Sequence, residues 1–187
     1  MNSKRIVVEG TFSVGKSTLI HMLSKILGLP VTPDFIRLNV EKYRTSGDGT
    51  KDIYDQLPLN RAIAVAVNSL RSLLEYERTT PNYISDSGSV TLLATLFASA
   101  GKYHIPLVVG KLPESILIAH ARNHYTNILY LPIEIPLEPA STRGSESDRR
   151  AIDGYITSFL NMHQLPYHTI SGTIDERVHY AQELLSV

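Results

Sequence analysis

Eight consecutive residues, Gly10-Thr11-Phe12-Ser13-Val14-Gly15-Lys16-Ser17, have the types and spacing needed to hold a chain of phosphates. Gly10 and Gly15 permit backbone angles that turn successive N–H groups into one concave nest, and a helix starting near Lys16 adds the positive end of its dipole. Lys16 has the reach for the β- and γ-phosphates, while the Ser17 hydroxyl can complete the coordination of Mg²⁺. The expected nucleotide-binding set is Gly10, Thr11, Phe12, Ser13, Val14, Gly15, Lys16, Ser17 and Thr18, with ATP and Mg²⁺ as ligands.

Such a loop needs a second anion for its metal, and Asp86, after the short strand 82-NYIS-85, has the placement of a strand-end carboxylate. The competing reading is an aspartate that turns the chain or caps a helix before Gly88. Transfer to an acceptor hydroxyl needs a carboxylate that takes its proton, and Asp34 in 32-TPDFIRLN-39 follows the expected second strand. Arg37, three residues on, could bind an anionic group of the substrate; both residues could equally be a solvated surface pair. Glu9 rivals them for a polar role beside the loop. Arg143, Arg149 and Arg150 lie in a polar stretch where a closing lid, 138–150, could deliver guanidinium to a transferring phosphoryl group, Arg143 first among them. The alternative is a charged helix face, since Glu146, Asp148 and Asp153 are near enough to pair with them. His120 and His124 have zinc-ligand spacing but no glutamate follows His120, which predicts surface histidines on a helix.

These residues need elements to position them. Ile6 to Glu9 predicts a short buried strand, and Lys16 to Leu27 a helix stopped by Gly28. An extended piece spans Pro30 to Ile36, and the polar 45-TSGDGTKD-52 reads as a surface loop. Leu59 to Glu77 predicts a long helix with Ile63, Val67, Leu70 and Leu74 on its buried face. Then come a strand in 82–88, a buried helix to Ala100, a strand at 105-IPLVVG-110, a helix over 113–123, a strand at 127-NILYLP-132, a helix from about Ser147 capped by Ser145 or Ser147, a strand at 167–170 and a final helix from Ile174 to Leu185. Strands alternating with helices predict an α/β, doubly wound, mostly parallel five-stranded sheet with helices on both faces.

A length of 187 residues, 43% apolar, suits one domain, residues 1–187, with a full core. Eighteen basic residues balance eighteen acidic ones, so no overall charge draws the chain to nucleic acid or an anionic membrane. Cysteine is absent, which excludes disulfides, thiolate metal sites and cysteine nucleophiles. The N-terminal MNSKRIVVEG has no signal-peptide core, and the most apolar segment, 88-GSVTLLATLFASA-100, is short of the roughly 20 residues that span a bilayer. The expectation is a cytoplasmic protein with no membrane partner; a homodimer is compatible with it.

In combination, 9-EGTFSVGKSTL-19, 34-DFIR-37, 83-YISDSG-88 and 128-ILYLPIEIP-136 ahead of an arginine-bearing segment resemble the small P-loop kinases. The resemblance is to the AAA-type group that includes the nicotinamide riboside kinase domain and, more distantly, to thymidylate and deoxynucleoside kinases. It implies ATP and Mg²⁺ as donor, an acidic residue after the second strand acting on the acceptor (Asp34) and a lid arginine (Arg143). One departure stands out: such kinases often carry Asp-Arg after the third strand, and this chain has Asp86-Ser87. The expected activity is phosphoryl transfer to a small acceptor, a nucleoside or nucleotide. A modified base in DNA is a second acceptor class, disfavoured by the zero net charge. A P-loop ATPase or nucleotide switch working through a protein partner is the competing class, but no N-K-x-D guanine motif is present and the chain is short for a motor.

Overall fold

Alternate residues of one strand divide the interior of this protein into two cores. In the computed structural model, which describes residues 3–42, 59–102, 114–137 and 144–185, strand β1 (Arg5–Glu9) sends Val7 to one side and Ile6 and Val8 to the other. The period of two in an extended chain makes this division unavoidable, and a strand apolar on both faces must be covered on both.

Helices α1 (Lys16–Leu27) and α7 (Ile174–Leu185) cover the Ile6/Val8 face with Leu19, Ile20, Leu23, Val178, Ala181 and Leu185. The Val7 face is covered by α3 (Leu59–Thr79), α4 (Ser89–Lys102), α5 (Glu114–His124) and α6 (Glu146–Met162), through Leu70, Leu93, Leu117 and Ile156 among others. Strands β2 (Tyr83–Asp86), β3 (Asn127–Tyr130) and β4 (His168–Thr169) complete a parallel sheet in the order β2-β1-β3-β4. The sheet is doubly wound, as expected.

It has four strands rather than five among the described residues. The other expected strand, 105–110, lies outside the described residues, as does the expected loop 45–52. Beyond β2, Val31 makes a single parallel bridge to Ile84, flanked by hydrogen bonds from Ile84 N–H to the Pro30 carbonyl (2.9 Å) and from Thr32 N–H to the Ile84 carbonyl (3.0 Å). The expected extended piece to Ile36 therefore stops early, and helix α2 (Phe35–Lys42) begins instead. Asp34 is the reason: its Oδ1 accepts the Arg37 N–H at 2.9 Å and so caps the first turn.

The buried face of α3 also differs from expectation. Val65, Ser69, Leu70, Leu73 and Glu77 point inward, whereas Val67 and Leu74 are only half-buried. A stripe chosen on apolarity alone passes over Ser69 and Glu77, which are buried because each has partners: Ser69 Oγ donates to the Val65 carbonyl at 2.7 Å, and Glu77 Oε2 meets His120 Nε2 at 2.7 Å and the Tyr125 hydroxyl at 3.0 Å.

Candidate active site

Strand β1 ends at Glu9, so the chain leaves the core at the C-terminal edge of the sheet directly into Gly10. The loop that follows is pinned by buried Val14 and hands over to α1 at Gly15, whose φ of +90° is open to glycine at little cost. Leu19 N–H closes the first turn on the Gly15 carbonyl at 3.1 Å.

β2 runs beside β1 with Asp86 opposite Val8, which brings Asp86 to the same edge as the loop. There Ser17 Oγ donates to Asp86 Oδ2 at 2.7 Å, and Lys16 Nζ lies 3.9 Å from Asp86 Oδ1 while donating to the Thr11 carbonyl at 2.7 Å. Three predicted residues from two neighbouring strand ends thus meet at one point. Beside them a cavity of about 570 Å³ opens between residues 133–137 and the start of α6; Ile135, in its wall, also borders Gly15.

The Ser17 and Asp86 oxygens suit a hard cation. A serine hydroxyl and a carboxylate, here 2.7 Å apart at the mouth of the loop, are the oxygen donors that Mg²⁺ takes. Among the described residues no group of three or more His, Cys, Asp or Glu could hold a metal by itself. The donor set is therefore one that phosphate oxygens and water would complete.

Behind Asp86 the turn is held by a buried carboxylate. Glu9 is fully buried, and its Oε2 accepts the N–H groups of Thr91 (2.9 Å) and Gly88 (3.2 Å), while Gly10 N–H donates to Thr91 Oγ1 at 3.2 Å. Burial raises the Glu9 carboxyl above the usual carboxylate range. Glu9 thus joins the first residue of the loop to the turn that carries Asp86.

Asp34 and Arg37 are exposed. The bridge from Val31 to Ile84, which itself pairs with Ile6, brings the segment before Asp34 alongside β2, and Asp34 then opens α2 three residues further on. Arg143 lies outside the described residues, as does 138–142 of the expected lid. The remainder of that lid is structured differently from a free loop: Ser145 caps α6 in a reciprocal box with Asp148, and 146–150 are helical. Arg150 is exposed and pairs with Glu146 at 3.0 Å, the charged-face alternative. Arg149, in contrast, is 0% exposed and donates from Nε to the Phe12 carbonyl (3.2 Å) and from Nη2 to the carbonyls of Ser13 (3.0 Å) and Ile135 (2.8 Å).

A second arginine is buried behind the loop, at a position the motifs do not mark. Arg177, 2% exposed, donates from Nη1 to the Val14 carbonyl at 2.7 Å and from Nη2 to Glu134 Oε2 at 2.7 Å. The available signal was its place on α7 beside Val178, Ala181 and Leu185, an arginine on the apolar side of a helix. The histidine expectation is corrected as well: His120 and His124 are half-buried rather than on the surface, because His120 pairs with the buried Glu77 and His124 Nε2 lies 2.7 Å from the Glu77 carbonyl.

Residues 5–177, nearly the whole chain, match the AAA domain family. The chain belongs to that family. No curated protein matches it in sequence. Among solved structures, this AAA domain chain is similar to deoxyadenosine kinase from M. mycoides with dCMP and dCDP bound (14% identity, 97% of each chain covered, TM-score 0.69). It is also similar to thymidylate kinase from Candida albicans (16% identity, 98% of this chain and 92% of that one, TM-score 0.63). NadR protein in complex with NR is matched over 100% of this chain but 52% of that one, at 17% identity and a TM-score of 0.65. At these identities the likeness is one of fold, and the fold is that of the small P-loop kinases. No described helix is long and apolar enough to cross a membrane.

Proposed function

We propose that this chain is an ATP- and Mg²⁺-dependent kinase that transfers the γ-phosphate to a hydroxyl or phosphate of a small acceptor, a nucleoside or nucleotide. The observation that carries the reading is the meeting of Lys16, Ser17 and Asp86 at the mouth of a phosphate loop. The loop's N–H groups and Lys16 hold the phosphates, and Ser17 and Asp86 hold the metal. When bound, Mg²⁺ neutralises charge on the β- and γ-phosphate oxygens. Asp34, at the N-terminus of α2, accepts the proton of an acceptor hydroxyl, with Arg37 close in sequence to bind an anionic group of the acceptor. Arg143 stabilises the transferring phosphoryl group from the lid. The fold shared with deoxyadenosine kinase, solved with dCMP and dCDP or with dATP bound, supports a nucleoside or nucleotide as acceptor.

The test is incubation with labelled ATP and Mg²⁺ against nucleosides, nucleoside monophosphates and hydroxymethylated DNA. Label in a nucleoside or monophosphate product is the expected result. Release of ADP independent of every acceptor would replace this reading with an ATPase.

A further inference from the structure

Consecutive carbonyls of the phosphate loop end on buried guanidiniums. Phe12 and Ser13 accept from Arg149, and Val14 accepts from Arg177 at 2.7 Å. In a planar trans peptide the C=O of one residue and the N–H of the next point in opposite directions. Carbonyls turned onto the two arginines therefore aim the N–H groups of Ser13, Val14 and Gly15 the other way. A cation on the carbonyl also polarises its peptide unit, and hydrogen bonds in such a chain strengthen one another in a low dielectric. The same three N–H groups become better donors to an anion.

We propose that Arg149 and Arg177 are positioning residues for phosphate, setting the loop's affinity for the β- and γ-phosphates from behind, and that Glu134 moderates this effect. The inference rests on the nucleotide-binding reading above. Arginine is required because one planar fork spans several acceptors: Arg149 reaches the carbonyls of Phe12, Ser13 and Ile135, which a lysine ammonium cannot match. Among the described residues each guanidinium forms an ion pair with a carboxylate, Glu146 at 3.4 Å from Arg149 and Glu134 at 2.7 Å from Arg177, and Arg149 also feels the charge of Asp153. Both paired carboxylates are part-exposed, so water screens them and much of the positive charge remains available to the loop. Glu134 in turn accepts the Gly172 N–H at 2.9 Å, and the Arg177 hydrogen bond holds its carboxyl below the usual range.

The experiment measures binding of Mg·ADP and of tripolyphosphate by calorimetry to the parent, R149K, R177K and E134Q, with thermal melts of each ligand-free protein. R149K and R177K are expected to weaken both ligands by about tenfold and by the same factor, since the lost bonds act on phosphate alone. E134Q keeps an acceptor for Arg177 but removes the opposing charge, and is expected to tighten tripolyphosphate roughly twofold at low salt. A purely structural role for the arginines predicts lower melting temperatures and unchanged affinity in the folded state. Unchanged affinities in folded R149K and R177K overturn the inference; if neither variant folds, E134Q decides it by the direction of its change. A parent protein that binds neither ligand overturns the nucleotide reading and this inference together, whereas a parent that binds beside indifferent variants overturns this inference only.

Discussion

The Asp34 carboxylate has one observed contact and one proposed role, and a single substitution separates them. Its Oδ1 caps α2 through the Arg37 N–H, while the proposed reaction asks the same group to take a proton. Asparagine caps a helix as well as aspartate does but is no base at neutral pH. D34N is therefore expected to keep its melting temperature and ATP affinity and to lose about 10²–10⁴-fold in kcat; turnover at the parent rate would remove Asp34 from the role. Asp86 is tested in the same way. D86N retains an acceptor for the Ser17 hydroxyl and loses the charge proposed to face the metal, so the Mg²⁺ concentration giving half-maximal nucleotide binding should rise about 10–100-fold. An unaltered Mg²⁺ titration would return Asp86 to a turn-forming aspartate.

The turn from β2 into α4 is the element on which the site's precision depends. A Cβ on Gly88 would stand 2.5 Å from Glu9 Oε1, 2.5 Å from Val7 Cγ2 and 2.8 Å from the Tyr125 hydroxyl, all of them buried atoms of the core. G88A is expected to cost about 1–3 kcal/mol by overpacking, read as a lowered urea midpoint; a midpoint equal to the parent's would mean that the turn yields freely. At this scale the sequence was informative wherever pattern and cap agreed: α1 begins at Lys16, α7 spans Ile174–Leu185, and α6 starts at the cap offered by Ser145. It was less informative where two local signals competed. In 32-TPDFIRLN-39 the proline favoured an extended chain and the aspartate cap won, and on α3 the inward stripe includes a serine bonded both within its helix and to the Phe35 carbonyl of α2, and a glutamate that meets His120 of α5.

Contacts between distant parts of the chain explain what no local pattern carried and give the whole molecule its expected response to pH. The phosphate loop was legible because all its fixed positions are adjacent; Arg177 meets Val14 from 163 positions away, and only a fold can supply that pairing. Glu9 and Glu77 belong to the same hidden class, buried carboxyls on β1 and α3 whose surroundings come from α4, α5 and Tyr125. Burial raises the pKa of both, and the charge of Glu77 adds to the rise at Glu9. A raised folded pKa means that the native protein holds protons which the unfolded chain has already released above the ordinary glutamate value of 4.5. Stability then falls as pH climbs from that value through the raised ones. The lowered carboxyls of Glu134 and Glu176 act in the opposite sense, losing their contribution as pH falls, but they are part- or fully exposed and their effect is screened. In E9Q the amide oxygen can still accept from Gly88 and Thr91, so whatever the substitution costs in absolute terms, the titration at position 9 is gone. Unfolding free energies from urea series between about pH 5 and 8 should decline less steeply for E9Q than for the parent. Parallel curves would mean that Glu9 is ionised in the native protein throughout that range.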